Sequence, residues 1–232
     1  MSDLLRRTIR QLPEQLAAAR GLGTGDWTDL HTTIDYMAFA FQRAYPTLPC
    51  RDGCAHCCRT QLFRVTRAEW EPMQAALLAD ARLDALLDRV QRDFGAHREA
   101  LEAAAEFWSA HATGLPPALE GVPVTCPLLE EERCMAYDAR PAICRAYGSF
   151  GAKVGAREVY LMCQEHGPDF VSALAAEGHE AMLMAPWDPV NERLAHLNPS
   201  GAVAPLPLWL LRLADSRPAG SRQADSRSAP PP

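Results

Sequence analysis

The sequence lacks the features that direct a chain into a membrane or out of the cell. No apolar run approaches the roughly 20 residues that a bilayer-spanning helix needs. The N-terminus, MSDLLRRTIRQLPEQ, has neither the apolar stretch nor the small-residue cleavage site of a secretory signal. We therefore expect a cytoplasmic protein with no membrane partner, in which thiols stay reduced.

The chain also has little of the positive charge that nucleic-acid binding requires. Its 232 residues carry a formal net charge of −6, and no basic stripe is visible, so we expect no nucleic-acid partner. Of the 23 basic residues only Lys153 is lysine. Together with abundant alanine, leucine and proline, this arginine bias is typical of a GC-rich bacterial genome and indicates no particular function.

Cysteine, in contrast, is concentrated in a few places. The run CRDGCAHCC holds four of the eight cysteines within nine residues, and the other four lie between 126 and 163. Crowded thiolates repel one another unless a cation neutralises them, so this density predicts a metal site. Eight sulfurs are enough for two tetrahedral shells, or for one cluster with ligands to spare. Four disulfides are the alternative, which a reducing compartment disfavours.

Two of the cysteines, Cys57 and Cys58, are adjacent. Consecutive side chains lie about 100° apart in a helix and on opposite faces of a strand. Neighbouring thiols therefore serve two metals, or one metal and one core position, more easily than a single ion. We expect Cys57 and Cys58 to occupy non-equivalent positions.

The second half of the cysteine set reads CPLL at 126–129 and CMAYDARPAICR at 134–145. Pro141 suits the first turn of a short helix that presents Cys144. Arg140 and Arg145 flank that cysteine, and their donors would offset the negative charge that four thiolates leave around a dication. The alternative is that both are surface residues of an arginine-rich protein.

These motifs together resemble one known family. The run CRDGCAHCC, then VTRAEW, then CPLL and CMAYDARPAICR, then a last cysteine at 163, are similar to the YkgJ-type cysteine-cluster family. That family is named after its CxxCxxCC core and described as a zinc- or iron-chelating domain, and the likeness spans roughly residues 50–163. It implies iron as the cofactor, as an iron–sulfur cluster or as the ion, with zinc as the alternative. It also implies that Tyr137, Arg140 and Arg145 lie next to the ligands, and that the ligands are all eight cysteines: Cys50, Cys54, Cys57, Cys58, Cys126, Cys134, Cys144 and Cys163.

Two histidines are candidates for additional ligands. His56 lies inside the first cysteine run, and His166 follows Cys163 by three residues. Since eight cysteines already suffice, the alternative is that neither histidine binds metal.

Hydrophobic periodicity predicts helices over most of the remaining chain. We expect a mainly α fold, with helices packed around an irregular cysteine-rich metal-binding centre and little strand. The expected parts are an N-terminal helical segment at 1–49, a cysteine-cluster domain at 50–163, a C-terminal helical segment at 164–214 and a disordered tail at 215–232.

Finer signals place individual elements. A helix is expected over 1–20, and a second one from Thr28 or Asp29 to the proline at 46. QLFRV, at 61–65, is a strand candidate. Thr66 and Glu69 form a capping box that opens a helical insert at about 66–112, expected to be a lid or scaffold over the metal region. Residues 121–163 are expected to be rich in loops, and further helices near 169–178, 188–197 and 206–214.

Three functions fit these features. The first, which we favour, is a cytosolic metal-binding protein that chelates iron or zinc through its cysteines. The second is a cluster-dependent enzyme, because a related flagellin lysine methylase carries the same domain with an iron–sulfur cluster. This chain has no clear methyl-donor site, so catalytic residues stay unassigned, with Cys163 as the candidate labile ligand or reactive thiol. The third is a purely structural zinc module. No protein partner is indicated.

Overall fold

The computed structural model describes residues 2–50, 53–111, 119–154, 157–177 and 182–217. Within these ranges the fold is mainly α, as expected, and its strands are short. None of the described helices combines the length and the apolar character that a transmembrane segment needs. The α-helices are α1 (Asp3–Ala18), α2 (Leu30–Ala44), α3 (His56–Thr60), α4 (Arg67–Leu78), α5 (Leu83–Phe94), α6 (Arg98–Ala110), α7 (Ala142–Ala146), α8 (Gly167–Ala176), α9 (Asp188–Leu197) and α10 (Leu206–Ser216).

The strands form three small sheets: β1 (Arg64–Thr66), β2 (Leu129–Glu130), β3 (Arg133–Cys134), β4 (Phe150–Val154), β5 (Arg157–Tyr160), β6 (Ala185–Pro186) and β7 (Val203–Pro205). β1 pairs antiparallel with β7, with Val65 opposite Ala204. β2 and β3 form an antiparallel pair, and β4 lies between antiparallel β5 and parallel β6. Strand pairing within the region expected to be rich in loops is the main local difference from the sequence prediction.

Helix starts follow the predicted capping signals. The carboxylate of Asp29 accepts a hydrogen bond from the His31 N–H at 2.9 Å and opens α2. At α4 the capping box is present, since Glu69 donates its N–H to the Thr66 hydroxyl and accepts from the Thr66 N–H at 3.0 Å. The strand expected at 61–65 is shorter and shifted, as β1. α10 continues to Ser216, and the rest of the expected tail, 218–232, lies outside the described residues.

Two hydrophobic cores position the cysteine-bearing segments. The first packs α1 against α2, with Leu12, Met37 and Phe41 almost fully buried, and it also receives residues of α7, β4, α8 and α9. The second joins α4, α5, α6 and α10, where the rings of Trp70 and Trp209 stack at 5.8 Å. Each core therefore combines residues from both sides of the predicted boundary at 163/164.

Helix α2 also carries an unusual buried histidine. His31 is 3% exposed, and neither of its ring nitrogens has a hydrogen-bond partner among the described residues. Burial, and then the charges of Arg145 and Arg140, lower the pKa of His31 to about 3. The imidazole is therefore held neutral in the folded protein.

This histidine makes stability depend on pH. Below its ordinary pKa of about 6.5, the unfolded state binds a proton that the folded state does not accept until about pH 3, so stability is lost as pH falls. Between pH 7 and pH 5 we expect this group to lower the free energy of unfolding by about 2 kcal/mol. Urea unfolding at both pH values should show that His31→Leu removes this share of the loss, whereas His196→Leu, at an exposed position, retains it. Equal pH dependence in all three proteins would contradict the prediction.

Candidate metal centre

All eight cysteines line a single cavity of about 820 Å³. The first four reach it from the loop before α3 and from α3 itself, and the others from the loop before β2, from β3, from α7 and from the loop after β5. All eight are free thiols, of which Cys54 is exposed and Cys163 is buried. The structure thus brings to one place every cysteine that the sequence predicts as a ligand.

A glycine turn and α3 shape the first cysteine run. Gly53 has a φ of 85°, a left-handed conformation that favours glycine, directly before Cys54. α3 then carries Cys57 and Cys58 at successive positions. The N–H of Cys126 donates a hydrogen bond to the carbonyl of Cys58 at 2.6 Å. This bond joins the two halves of the cysteine set through their backbones.

Electrostatic proximity identifies four of the thiols as one group. Burial, and then the negative charges of Cys58 and Cys134, raise the pKa of Cys126 to about 12. Burial raises the pKa of Cys144 well above its usual value, and the charges of Cys126, Cys58 and Cys134 add to this effect. Burial also raises the pKa of Cys134. We call these four the Cys58 group: Cys58, Cys126, Cys134 and Cys144.

Electrostatic effects also link the remaining thiols, of which Cys57 senses Cys54 and, in the first group, Cys58 and Cys144. Burial raises the pKa of Cys50 to about 11, and the charges of Cys54 and Cys163 add to the effect, while the Cys163 N–H opposes it. Burial likewise raises the pKa of Tyr147 to about 12, and this phenol senses the charges of Cys57, Cys163 and Cys50. We call these four the Cys50 group: Cys50, Cys54, Cys57 and Cys163.

Cys57 and Cys58 lie where the two groups meet. A hydrogen bond between their sulfurs lowers the pKa of Cys58 and raises that of Cys57. The charges of Cys144, from the Cys58 group, and of Cys54, from the Cys50 group, raise the pKa of Cys57 further. Arg140 and Arg59 favour the Cys58 thiolate further. The two adjacent thiols therefore have different environments. That they bind different metals stays a prediction.

The sulfurs are spread more widely than a single-ion site would hold them. Four thiolates bound to one zinc ion at about 2.3 Å lie about 3.8 Å apart. Among the described residues, no three cysteine sulfurs lie within 4.8 Å of one another. A polynuclear cluster separates its terminal thiolates more, because each is bound to a different metal atom.

Arg140 lies beside the thiols. It lines the cavity, and its charge lowers the pKa of Cys58 and opposes the rise of that of Cys134. The guanidinium carbon lies 3.5 Å from the centre of the Tyr137 ring, which fixes its plane. Its Nε is buried without an acceptor among the described residues. An anionic metal–thiolate centre would supply the acceptor that this donor lacks.

Arg145 also lines the cavity, but its guanidinium bonds to other partners. Its guanidinium is buried and forms an ion pair with Asp35 at 2.5 Å. It also donates to the backbone carbonyls of Arg140, at 2.8 Å, and of Asp138. Arg145 therefore stabilises the loop before α7 and joins it to α2. The described hydrogen bonds of its side chain go to oxygen atoms and not to cysteine sulfurs.

The Glu69 side chain fixes the start of α7. One carboxylate oxygen accepts from the Thr66 N–H and hydroxyl, and the other accepts from the N–H of Ala142 at 2.7 Å. Burial raises the pKa of Glu69, and these hydrogen bonds and Arg64 oppose the effect. A buried carboxylate is stable only with such partners. The capping-box carboxylate of α4 thus helps to position the start of α7, the helix that carries Cys144.

The sequence does not identify several other residues that line the cavity, among them Tyr147 and Gln61. Tyr147 follows Cys144 by three positions and accepts a hydrogen bond from the side-chain amide of Gln61, which follows α3. The short spacing from Cys144 is a signal that could have identified Tyr147. For Gln61 the sequence carries no such signal, because the contact joins residues 86 positions apart.

The two candidate histidines lie beside each other. The ring centres of His56 and His166 are 5.1 Å apart, and His56 Nε2 lies 2.5 Å from a carboxylate oxygen of Glu165. None of these three residues lines the cavity. The histidines therefore lie next to the thiols in sequence and outside their cavity in space.

Comparison with known proteins identifies one family. The family CxxCxxCC, described as "Putative zinc- or iron-chelating domain", matches residues 49–164. The comparisons with curated proteins and with solved structures gave no match. The matched region begins one residue before Cys50 and ends one residue after Cys163, so it contains all eight cysteines.

Gly148 provides a test of the cavity wall. Its φ is 96°, and a Cβ at this position would lie 2.5 Å from the Cβ and 2.7 Å from the Sγ of Cys50. Gly148→Ala must therefore displace Cys50, and we expect it to lower the metal content of the purified protein. Gly201→Ala is the control, since Gly201 has a φ of 65° and open space around it. That variant should lose only about 1–2 kcal/mol of stability and keep its metal. Equal metal content in both variants would contradict the prediction.

Proposed function

The chain belongs to the CxxCxxCC family, and from this premise we propose that it is a cytoplasmic protein that binds iron through its eight cysteines, as iron–sulfur cluster rather than as a single ion. The observation that carries the proposal is the convergence of all eight thiols on one cavity. Zinc is the alternative metal, since thiolate ligands suit both. The family description supports metal chelation by this region.

Three features favour a cluster. The cavity, at about 820 Å³, is far larger than one ion needs. No three of the described cysteine sulfurs are gathered as closely as one zinc ion would hold them, which suits ligands that bind different metal atoms. The buried Nε of Arg140 is a donor for the sulfur atoms of an anionic centre.

We assign the ligands by the two groups defined above. Iron–sulfur clusters with four iron atoms are held by four cysteine thiolates, and each group contains four. The Cys58 group would hold one centre beneath Arg140, and the Cys50 group a second beside Tyr147. Adjacent Cys57 and Cys58 would then bind different centres, which the angle of about 100° between consecutive side chains of a helix favours.

The chain's own residues would prepare this site for metal. Burial and mutual charge raise most of the thiol pKa values, so the metal-free cavity holds protons that binding must release. Arg140 is a fixed positive charge beside the Cys58 group, and the Tyr147 phenol adds a polar wall to the Cys50 group. A bound iron–sulfur cluster would supply one-electron chemistry.

One observation favours an enzyme as a second candidate. The cavity volume lies in the range of small-molecule pockets, which is about 300–1,000 Å³, and Asp35, Phe39 and Gln42 of α2 contribute to its wall. A substrate could enter beside a cluster. Under this hypothesis Cys163 is the candidate labile ligand. Cys163→Ser should then fold and keep the cluster of the Cys58 group, but lose the activity.

Metal and acid-labile sulfide content of anaerobically purified protein tests the main proposal. We expect iron with a comparable amount of sulfide, and a brown protein with thiolate-to-iron absorption. Zinc without sulfide in a colourless protein would overturn the cluster and favour a closed zinc module. Neither metal, together with an absence of free thiols, would overturn metal binding itself.

Cys57→Ser and Cys58→Ser test the assignment of the ligands. Each variant should lose the centre of its own group and keep the other, so that iron falls to about half in both. Mössbauer spectra should then show different residual clusters. Thr60→Ser, in the same helix, retains the hydroxyl that bonds to the His56 carbonyl and should keep all its iron. Identical residual spectra in the two cysteine variants would contradict a division into two groups.

A further inference from the structure

A second set of metal-ligating side chains lies outside the thiol cavity. The ligand atoms of His56, Glu165 and His166 are all within 4.8 Å of one another. His56 is the first residue of α3, and His166 directly precedes α8. From the sequence, the two histidines are predicted only as additions to the cysteine ligands, and no local pattern indicates Glu165.

Local structure holds the two later residues in place. The N–H of Gly167 donates to the carbonyl of Cys163 at 2.8 Å, which closes a tight turn around residues 164–166. A side chain at Gly167 would meet Met162, since a Cβ there would lie 2.6 Å from the Met162 Cγ. The turn therefore packs closely against its surroundings, and Glu165 and His166 are presented together towards His56.

The donor set has a recognisable preference. Two imidazoles and one carboxylate bind divalent first-row transition ions, with zinc in hydrolytic sites and iron(II) in oxygenases as the known uses. Ligand atoms at about 2.1 Å from one ion lie no more than about 4.2 Å apart. The three side chains need only small rotations to meet this limit.

Solvent exposure leaves room for further ligands. The Glu165 side chain is 61% exposed and that of His56 is 21% exposed, and His166 is exposed. An ion here would therefore keep water at its remaining positions, unlike an ion enclosed by thiolates. The three side chains supply no sulfur, so the site selects metals differently from the cavity.

We propose that His56, Glu165 and His166 form a separate, solvent-accessible binding site for one divalent transition-metal ion. It goes beyond the proposed function, because it uses none of the eight cysteines. A lone ion pair between His56 and Glu165 would not require the second imidazole, which the structure places beside the first. The open coordination positions would let the bound ion accept water or an exchangeable small ligand.

Cobalt(II) is the probe for this site. Equilibrium dialysis of the anaerobic, iron-loaded protein against Co²⁺ should show one bound equivalent, and X-ray absorption at the cobalt edge should show nitrogen and oxygen neighbours without sulfur. Glu165→Gln and His166→Gln should each weaken this binding at least roughly 10–100-fold. Both residues are exposed, so neither change should disturb folding.

Matched controls separate this site from general surface binding. Glu192→Gln and His196→Gln alter an exposed glutamate and an exposed histidine of α9 and should leave cobalt binding unchanged. The proposal is overturned if no cobalt binds, if binding survives both ligand variants, or if cobalt has sulfur neighbours. Iron and sulfide measured in the same samples report on the thiol cavity, so failure of this site is distinguishable from failure of the proposed function.

Discussion

The crowding of eight thiols around one cavity is the constraint on which the rest of the structure depends. Burial disfavours thiolates, and each thiolate disfavours its neighbours, which is why the pKa values of Cys50, Cys126 and Cys144 are all raised. A cation reverses this preference, since it is attracted by every sulfur at once. Positive charge in the cavity therefore stabilises the thiolate forms of these cysteines, and Arg140 supplies only part of that charge.

Two buried charged groups hold the cavity wall in place. Glu69 joins the start of α4 to the start of α7, and Arg145 joins α7 to Asp35 on α2. Loss of one partner from such a bond leaves the other buried and unsatisfied, which is costly. The wall thus depends on contacts between segments that are 73 and 110 residues apart in sequence, and this explains how a loop-rich cysteine region acquires a definite shape.

The sequence predicts local features well and long-range contacts poorly. The mainly α class, the capping box of Thr66 and Glu69, and the family follow from periodicity and short motifs, and all are confirmed. The sequence does not reveal that the second oxygen of Glu69 bonds to Ala142, or that Arg145 turns towards Asp35, because nothing in a local pattern specifies a distant partner. For the same reason it predicts the set of cysteines without their division into groups.

The second core limits which segment of this protein can be transferred to another protein with the thiol cavity intact. The family match ends at residue 164, yet Trp209 stacks on Trp70 and donates to the Val65 carbonyl, and Leu206 and Pro207 line the thiol cavity. A gene fragment for 49–164 transplanted into another protein would carry every cysteine and still leave part of the cavity wall behind. The region that recombination can move intact is therefore larger than the region that sequence similarity marks, unless the recipient supplies a helix equivalent to α10.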